Sequence, residues 1–267
     1  MMGTGSDKTA SRLTLLKGKI KSIIGIAIVA AVYIWSARGV DFSLIEIIGE
    51  LPSFFGLLWE MVPPNWAYSV RLIDPLIETF QTAVAGTTLG TLLAIPLILL
   101  SANNVNNNTP LYFISKGFMN LVRTIPPLLY AAILVAGVGL GAFAGMLALT
   151  FFSMAVNAKL TSESLEAIDY GPIEALEAAG SNKLEMIRYA VMPQILPTFA
   201  SYTLYVFEIN IRASTVLGLV GAGGIGVNLD SSLNLFRYQN ASMVILATFV
   251  IVVLIDYLSN KLREELI

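Results

Sequence analysis

The chain has 267 residues, 56% hydrophobic and 13% charged, with a mean hydropathy of +0.75 and a net charge of −2. The charged share is about half that of an ordinary soluble domain, and no basic surplus is present to draw in nucleic acid. With neither cysteine nor histidine, the chain excludes disulfides, zinc-type sites and Ser-His or Cys-His catalysis, and no cofactor is expected.

Residues 1–21 form a polar tail in which Lys17, Lys19 and Lys21 precede an apolar block at 22–37. That order resembles a signal peptide. The block ends in Trp35 and Arg38 rather than in a small-residue cleavage site, so it reads as a retained anchor helix. Residues 39–74 carry Phe42, Phe54, Phe55, Trp59, Trp66 and Tyr68, which suits an interfacial amphipathic segment. The region 22–74 is therefore an anchor followed by an interfacial stretch.

Residues 79–102 form a clean span. Residues 124–158 are free of charge, and as one helix would run about 52 Å, too long for a hydrocarbon slab about 30 Å thick. Gly137-Val-Gly-Leu-Gly141 offers a break, which divides the block into two helices. A fifth span is expected near 190–210 and a sixth near 239–258. With the N-terminus in the cytoplasm, only Arg38, Arg71, Arg212 and Arg237 of the 16 basic residues face outward. This bias predicts cytoplasmic termini. The expected class is an all-α, multi-pass integral membrane protein of about six helices.

The longest polar stretch between spans is 159–192. Gly171-Pro172 starts a short helix, with Glu174 and Glu177 near its positive end. Gly180 stands where a left-handed C-terminal cap is wanted. Asn182 then begins a second helix, with Glu185 completing a capping box, and that helix leads into the membrane at Pro193. Locally, an ordinary capped connector explains this pattern as well as a docking handle does.

Glu174-Ala175-Leu176, Gly180 and Ala190-Val-Met-Pro193 resemble, at matching spacing, the cytoplasmic signature of ABC importer permeases. Leu176, Ala190 and Met192 depart from its consensus but stay apolar. The resemblance implies the type I importer permease fold and a loop, including Gly171, Pro172, Ser181 and Pro193, that docks on a separate ATPase. Further segments look like the phosphonate importer permeases: Arg123-Thr-Ile-Pro-Pro127, Val138 to Leu149, Tyr202-Thr-Leu-Tyr205, Glu208, Ile211-Arg-Ala-Ser214, Val220 to Gly226, Asp256 and Leu262-Arg263. They cover a permease domain at 75–267. The resemblance implies a place in the plasma (inner) membrane of a bacterium, a homodimer of permeases, two ATPase subunits and an extracytoplasmic phosphonate-binding protein. Phosphite or phosphate are alternative cargoes, as is a methionine or other small-solute importer. A membrane-embedded enzyme, an ion-driven secondary transporter, and a scaffold or channel are the rival classes.

An anion needs a polar path, for which Thr82, Ser153 and Asn157 are candidates; helix packing is the first explanation of each, as it is for Gly86-x-x-x-Gly90 and Gly141-x-x-x-Gly145. Glu208 and Arg212, expected near the outer end of the fifth span, are spaced as a helical ion pair, with anion contact as the alternative. Ser214 is a further pathway candidate, and Gly221, Gly223 and Gly224 suggest a flexible gate. Their GxGxxG match has no βαβ unit around it. The Gly3–Thr9 tail is a weak phosphate-loop likeness, and Asn107 and Asn240 head chance glycosylation patterns.

Overall fold

The computed structural model describes residues 6–40, 43–106 and 108–266. Gly3 to Gly5 of the phosphate-loop likeness, Phe42 and Asn107 lie outside the described residues. The chain divides into two compact units, Met1–Leu58 and Trp59–Ile267. In the first, α1 (Ser6–Gly39) begins inside the polar tail rather than at residue 22; its apolar part, Lys21–Gly39, is long enough to cross a membrane. Next comes α2 (Leu44–Glu60), where Ser43 Oγ accepts from the Glu46 amide at 3.3 Å and so satisfies a first-turn donor. Phe54, Phe55 and Trp59 are exposed on it.

The second unit opens with a 3₁₀ turn, Trp66–Leu72, running into α3 (Ile73–Leu100). Asn108 caps α4 (Thr109–Thr124), accepting from Leu111 N at 3.2 Å. Pro126 and Pro127 then end it, because proline removes a donor and pushes its predecessor out of the helical region. α5 (Pro127–Val138) leaves at 85° to α4, and Tyr130 reaches back over the bend to donate to Val122 O at 2.8 Å. Twelve residues reach only about 18 Å. The expected third span is thus one limb of a bent pair.

Gly139 (φ 95°) and Gly141 (φ 131°) make the expected break before α6 (Ala142–Glu166). After α7 (Gly171–Ala178), α8 (Lys183–Met186) runs through a π-turn at Ile187–Val191 into α9 (Met192–Leu217). A 3₁₀ turn, α10 (Ile225–Asn234) and α11 (Tyr238–Leu266) complete the unit. Among the described residues, five helices are long and apolar enough to span a membrane, or six segments if the bent pair is one span.

The most extensive helix contact is between α3 and α6. A Cβ on Gly86 would lie 2.7 Å from Leu149 Cβ, and one on Gly90 2.6 Å from Thr150 O. The Gly86/Gly90 pair therefore serves helix contact, as small residues do where lipid supplies no hydrophobic drive. Of the second pair, Gly145 packs against Ala222 O, whereas Gly141 has open space and serves only the turn.

Candidate functional site

Polar side chains run as a seam through the α3–α6–α9 bundle. Asn157 Nδ2 donates to Thr91 Oγ1 (3.1 Å) and Thr203 Oγ1 (3.0 Å), and its Oδ1 accepts from Thr161 (3.0 Å). Asn210 Nδ2 donates to Thr87 Oγ1 (2.8 Å) and Ser153 Oγ (2.6 Å). Ser153, Asn157 and Asn210 are fully buried. The structure thus spends Ser153 and Asn157 on joining helices within the chain. Thr82 is buried at the edge of a recess of roughly 210 Å³ lined also by Glu78, Gln81 and Phe143.

The α7 loop is capped at both ends. Gly171 N donates to Asp169 Oδ1 at 3.0 Å, and Pro172 falls in the first turn, where no intrahelical donor is needed. At the far end Gly180 adopts φ 80°. Gly180 N donates to Glu177 O and Ser181 N to Leu176 O, both at 3.0 Å, which is the Schellman pattern. The capping box also forms, with Glu185 N to Asn182 Oδ1 at 3.0 Å and Asn182 N to Glu185 Oε2 at 2.8 Å. Ile173 is fully buried in a cluster with Val105, Met119, Leu165 and Met186, while Glu174, Ala175 and Glu177 are exposed. One residue unnoticed in the sequence, Gln194, binds this loop to α9. Its Oε1 accepts from Asp169 N (3.1 Å), and its Nε2 donates to Asp169 O (3.2 Å) and Ala190 O (2.8 Å).

At the opposite end of the bundle the glycine-rich turn is wedged between α3 and α6. Gly221, Gly223 and Gly224 all have φ between 74° and 80°, a conformation open to glycine at little cost. A Cβ on Gly223 would lie 2.7 Å from both Ala142 N and Glu78 Oε1, and one on Gly224 2.7 Å from Thr79 Oγ1. Gly141 N donates to Gly221 O at 2.9 Å, and Leu140 lies over Gly221. Ile225 N donates to Thr79 Oγ1 at 2.8 Å, and Ser214 Oγ to Thr79 O at 3.4 Å. The α5–α6 break and the glycine turn, 80 residues apart in sequence, are therefore one latch.

Glu208 and Arg212 form the expected ion pair on α9. Their depth differs from expectation. Asn210 stands between them, and its partners Thr87 and Ser153 lie near the middles of α3 and α6. The pair is halfway through the bundle, because α9 continues to Leu217, beyond the 190–210 expected for that span. Two side chains of α11 join it: Asp256 accepts from Arg212 Nη2 at 3.3 and 3.4 Å, and Arg263 Nη2 comes to 3.6 Å from Glu208 Oε2. Among the described residues, no cluster of acidic side chains suited to a metal ion occurs.

Residues 86–263 match the family described as binding-protein-dependent transport system inner membrane component. The chain is 34% identical, over 93% of its length and 88% of the relative's, to the phosphite transport system permease protein PtxC of Stutzerimonas stutzeri. It is 38% identical to the phosphate-import permease protein PhnE of Mycolicibacterium smegmatis, over 79% of this chain and 40% of that one. Among solved structures, a chain of the MetNI methionine ABC transporter in an inward-facing conformation superposes with a TM-score of 0.67 at 21% identity, covering 76% of this chain and 99% of that one. A chain of a bacterial ABC transporter involved in the import of alginate gives 0.55 at 16% identity, over 94% and 99%.

Proposed function

Because the chain belongs to the family of inner membrane components of binding-protein-dependent transport systems, we propose that it forms the path for a small phosphorus oxyanion: phosphonate, phosphite or phosphate. The chain is a transport subunit and not an enzyme; an ATPase and a substrate-binding protein are its family partners. One observation carries the cargo reading. The phosphite and phosphate relatives are 34% and 38% identical over 93% and 79% of this chain, whereas the probable D-methionine transport permease of Haemophilus influenzae is 28% identical over 71%.

In this reading two copies of the permease domain, residues 75–267, enclose the path, and two ATPases sit below with both chain termini on their side. The exposed face of α7 around Glu174, Ala175 and Glu177 is the docking face, and the Gly180–Ser181 corner fixes its angle. Closure of the ATPases on ATP drags α7, and Gln194 passes the displacement to α9 through Asp169 and Ala190. A nucleotide that binds one state better than the other shifts the whole bundle between them. The Gly221–Gly224 latch is the gate on the far side, beside Thr82 and Ser214.

The test is uptake of labelled methylphosphonate by cells expressing the chain with its ATPase and binding protein. Uptake that needs the ATPase and is blocked by phosphite or phosphate is expected. Uptake of methionine in its place overturns the cargo, and uptake persisting without the ATPase points to ion-driven transport.

A further inference from the structure

Glu208 and Arg212, at the level of Asn210 and the middles of α3 and α6, meet Asp256 and, from the last turn of α11, Arg263, which brings two carboxylates and two guanidiniums together. Charge at such a depth is costly against lipid, and where it persists it faces a bundle interior or a water-filled cavity. Yet the Arg212 side chain is 49% exposed and that of Asp256 35% exposed in the single chain. This face of α9 and α11 must therefore look onto a polar path or a second permease, not onto acyl chains.

The cluster balances in charge but not in hydrogen bonds. Among the described residues, every hydrogen bond from the Arg212 side chain leaves Nη2, which serves both Glu208 and Asp256, and Nη1 and Nε make none. Arg263 Nη1 donates to Asn260 Oδ1 at 3.1 Å, while its Nε and Nη2 are buried without a hydrogen-bond acceptor. Five N–H donors in a fixed fork suit the oxygens of a carboxylate or a phosphorus oxyanion equally well. The two partners of Arg212 also differ. Glu208 sits one turn away on the same helix and is mostly buried, whereas Asp256 belongs to α11, is more exposed and lies at the long end of hydrogen bonding.

We propose that Arg212 is an anion-binding station at mid-depth, with Asp256 as its displaceable counter-carboxylate. This rests on the oxyanion reading above. An incoming phosphonate or phosphite takes the guanidinium edge that Asp256 holds in the empty path, and Asp256 retakes it as the anion leaves. Glu208, also held by Arg263, keeps the guanidinium in place throughout. The empty site then carries no uncompensated charge, and the returning carboxylate keeps the anion from staying. Transport needs both properties, since a site must bind strongly enough to admit its ion and weakly enough to release it.

The opposite signs expected at the two ends of the Arg212–Asp256 bond test the idea. Broadening of the ³¹P resonance of methylphosphonate by the detergent-purified permease–ATPase complex reports binding without the binding protein, and size-exclusion chromatography reports assembly. Asp256→Asn, which removes the competing charge, is expected to assemble and to bind about tenfold more tightly, while its maximal uptake falls; Arg212→Gln loses about tenfold or more, as removal of a charge-assisted hydrogen bond does. Arg212→Lys, a charge without the fork, falls between. A purely structural bridge predicts instead that Asp256→Asn and Arg212→Gln both lose assembly, or that both bind as the parent does, and either result overturns the station. If the parent complex imports methylphosphonate and Arg212→Gln imports it equally, this inference alone falls. If the parent neither binds nor imports methylphosphonate, phosphite or phosphate, the oxyanion reading falls with it.

Discussion

Gly90 and Gly117 are both helical glycines, and alanine should act on them in opposite directions. A Cβ at Gly90 would stand 2.6 Å from Thr150 O and 2.9 Å from Met154 N, backbone atoms of a facing helix that cannot move aside singly. Overpacking of this kind costs about 1–3 kcal/mol. At Gly117 nothing lies within 4 Å, so Gly117→Ala only removes the entropy penalty of a helical glycine, roughly 0.5–1 kcal/mol. In thermal unfolding of the purified complex, Gly90→Ala should lower the midpoint and Gly117→Ala should hold or raise it. Asn157→Leu belongs between them. It deletes three interhelical or intrahelical bonds, but such bonds in membrane bundles average about 0.6 kcal/mol each, and Thr203 keeps its own bond to Phe199 O. A midpoint for Asn157→Leu as low as that of Gly90→Ala would show that polar bonding, not close approach, holds α3 to α6.

On the scale of elements, α7 and its two corners were legible in the sequence because each cap is written within a few residues: Gly171-Pro172, Gly180, and Asn182 with Glu185. The Gln194 clamp was not, since it joins positions 25 apart in sequence that only the fold brings together. The bent α4–α5 pair escaped for a different reason. A search for charge-free length passes over α4, whose Lys116 and Arg123 make it read as polar, although Lys116 is neutralised by Glu166, 3.0 Å away on α6. The depth of Glu208 and Arg212 was likewise hidden, because counting apolar residues ended the span too early and only the bonds of Asn210 place it. Gly180 separates conformation from docking. Space around it is open, so side-chain size is no obstacle; the demand is φ 80°, which costs a branched residue about 1–2 kcal/mol and asparagine less. Gly180→Asn should therefore keep most of the transport obtained per ATP hydrolysed, Gly180→Val should lose it, and Gly180→Asp should lose it as well by adding charge to the proposed docking face. Uptake and phosphate release measured together in proteoliposomes give that ratio. Equal coupling in all three variants would remove α7 from the power stroke.

The whole second unit has two chemically distinct ends. One gathers α7, α8 and the clamp in which Lys116 donates to Glu166 and Tyr112 while Asn103 N donates to Glu166 Oε1. The other gathers the glycine latch between Gly141 and Gly221 and the short α10. ATP is available on one side of the membrane only, so the end that carries α7 has to be cytoplasmic if α7 couples to an ATPase. The excess of lysine and arginine in the segments at that end points the same way. Since the chain has no cysteine, a single introduced thiol reports sidedness without background. Leu184 at the start of α8 and Leu235 in the turn after α10 are 78% and 58% exposed, so a thiol at either site is reachable. A membrane-impermeant maleimide added to intact spheroplasts should label Leu235→Cys and spare Leu184→Cys, and inside-out vesicles should reverse the result. Labelling of both from one side would break the antiparallel arrangement of α9 and α11. Labelling of Leu184→Cys alone from outside would invert the bundle and leave α7 on the side without nucleotide, where no contact it makes could be driven by ATP.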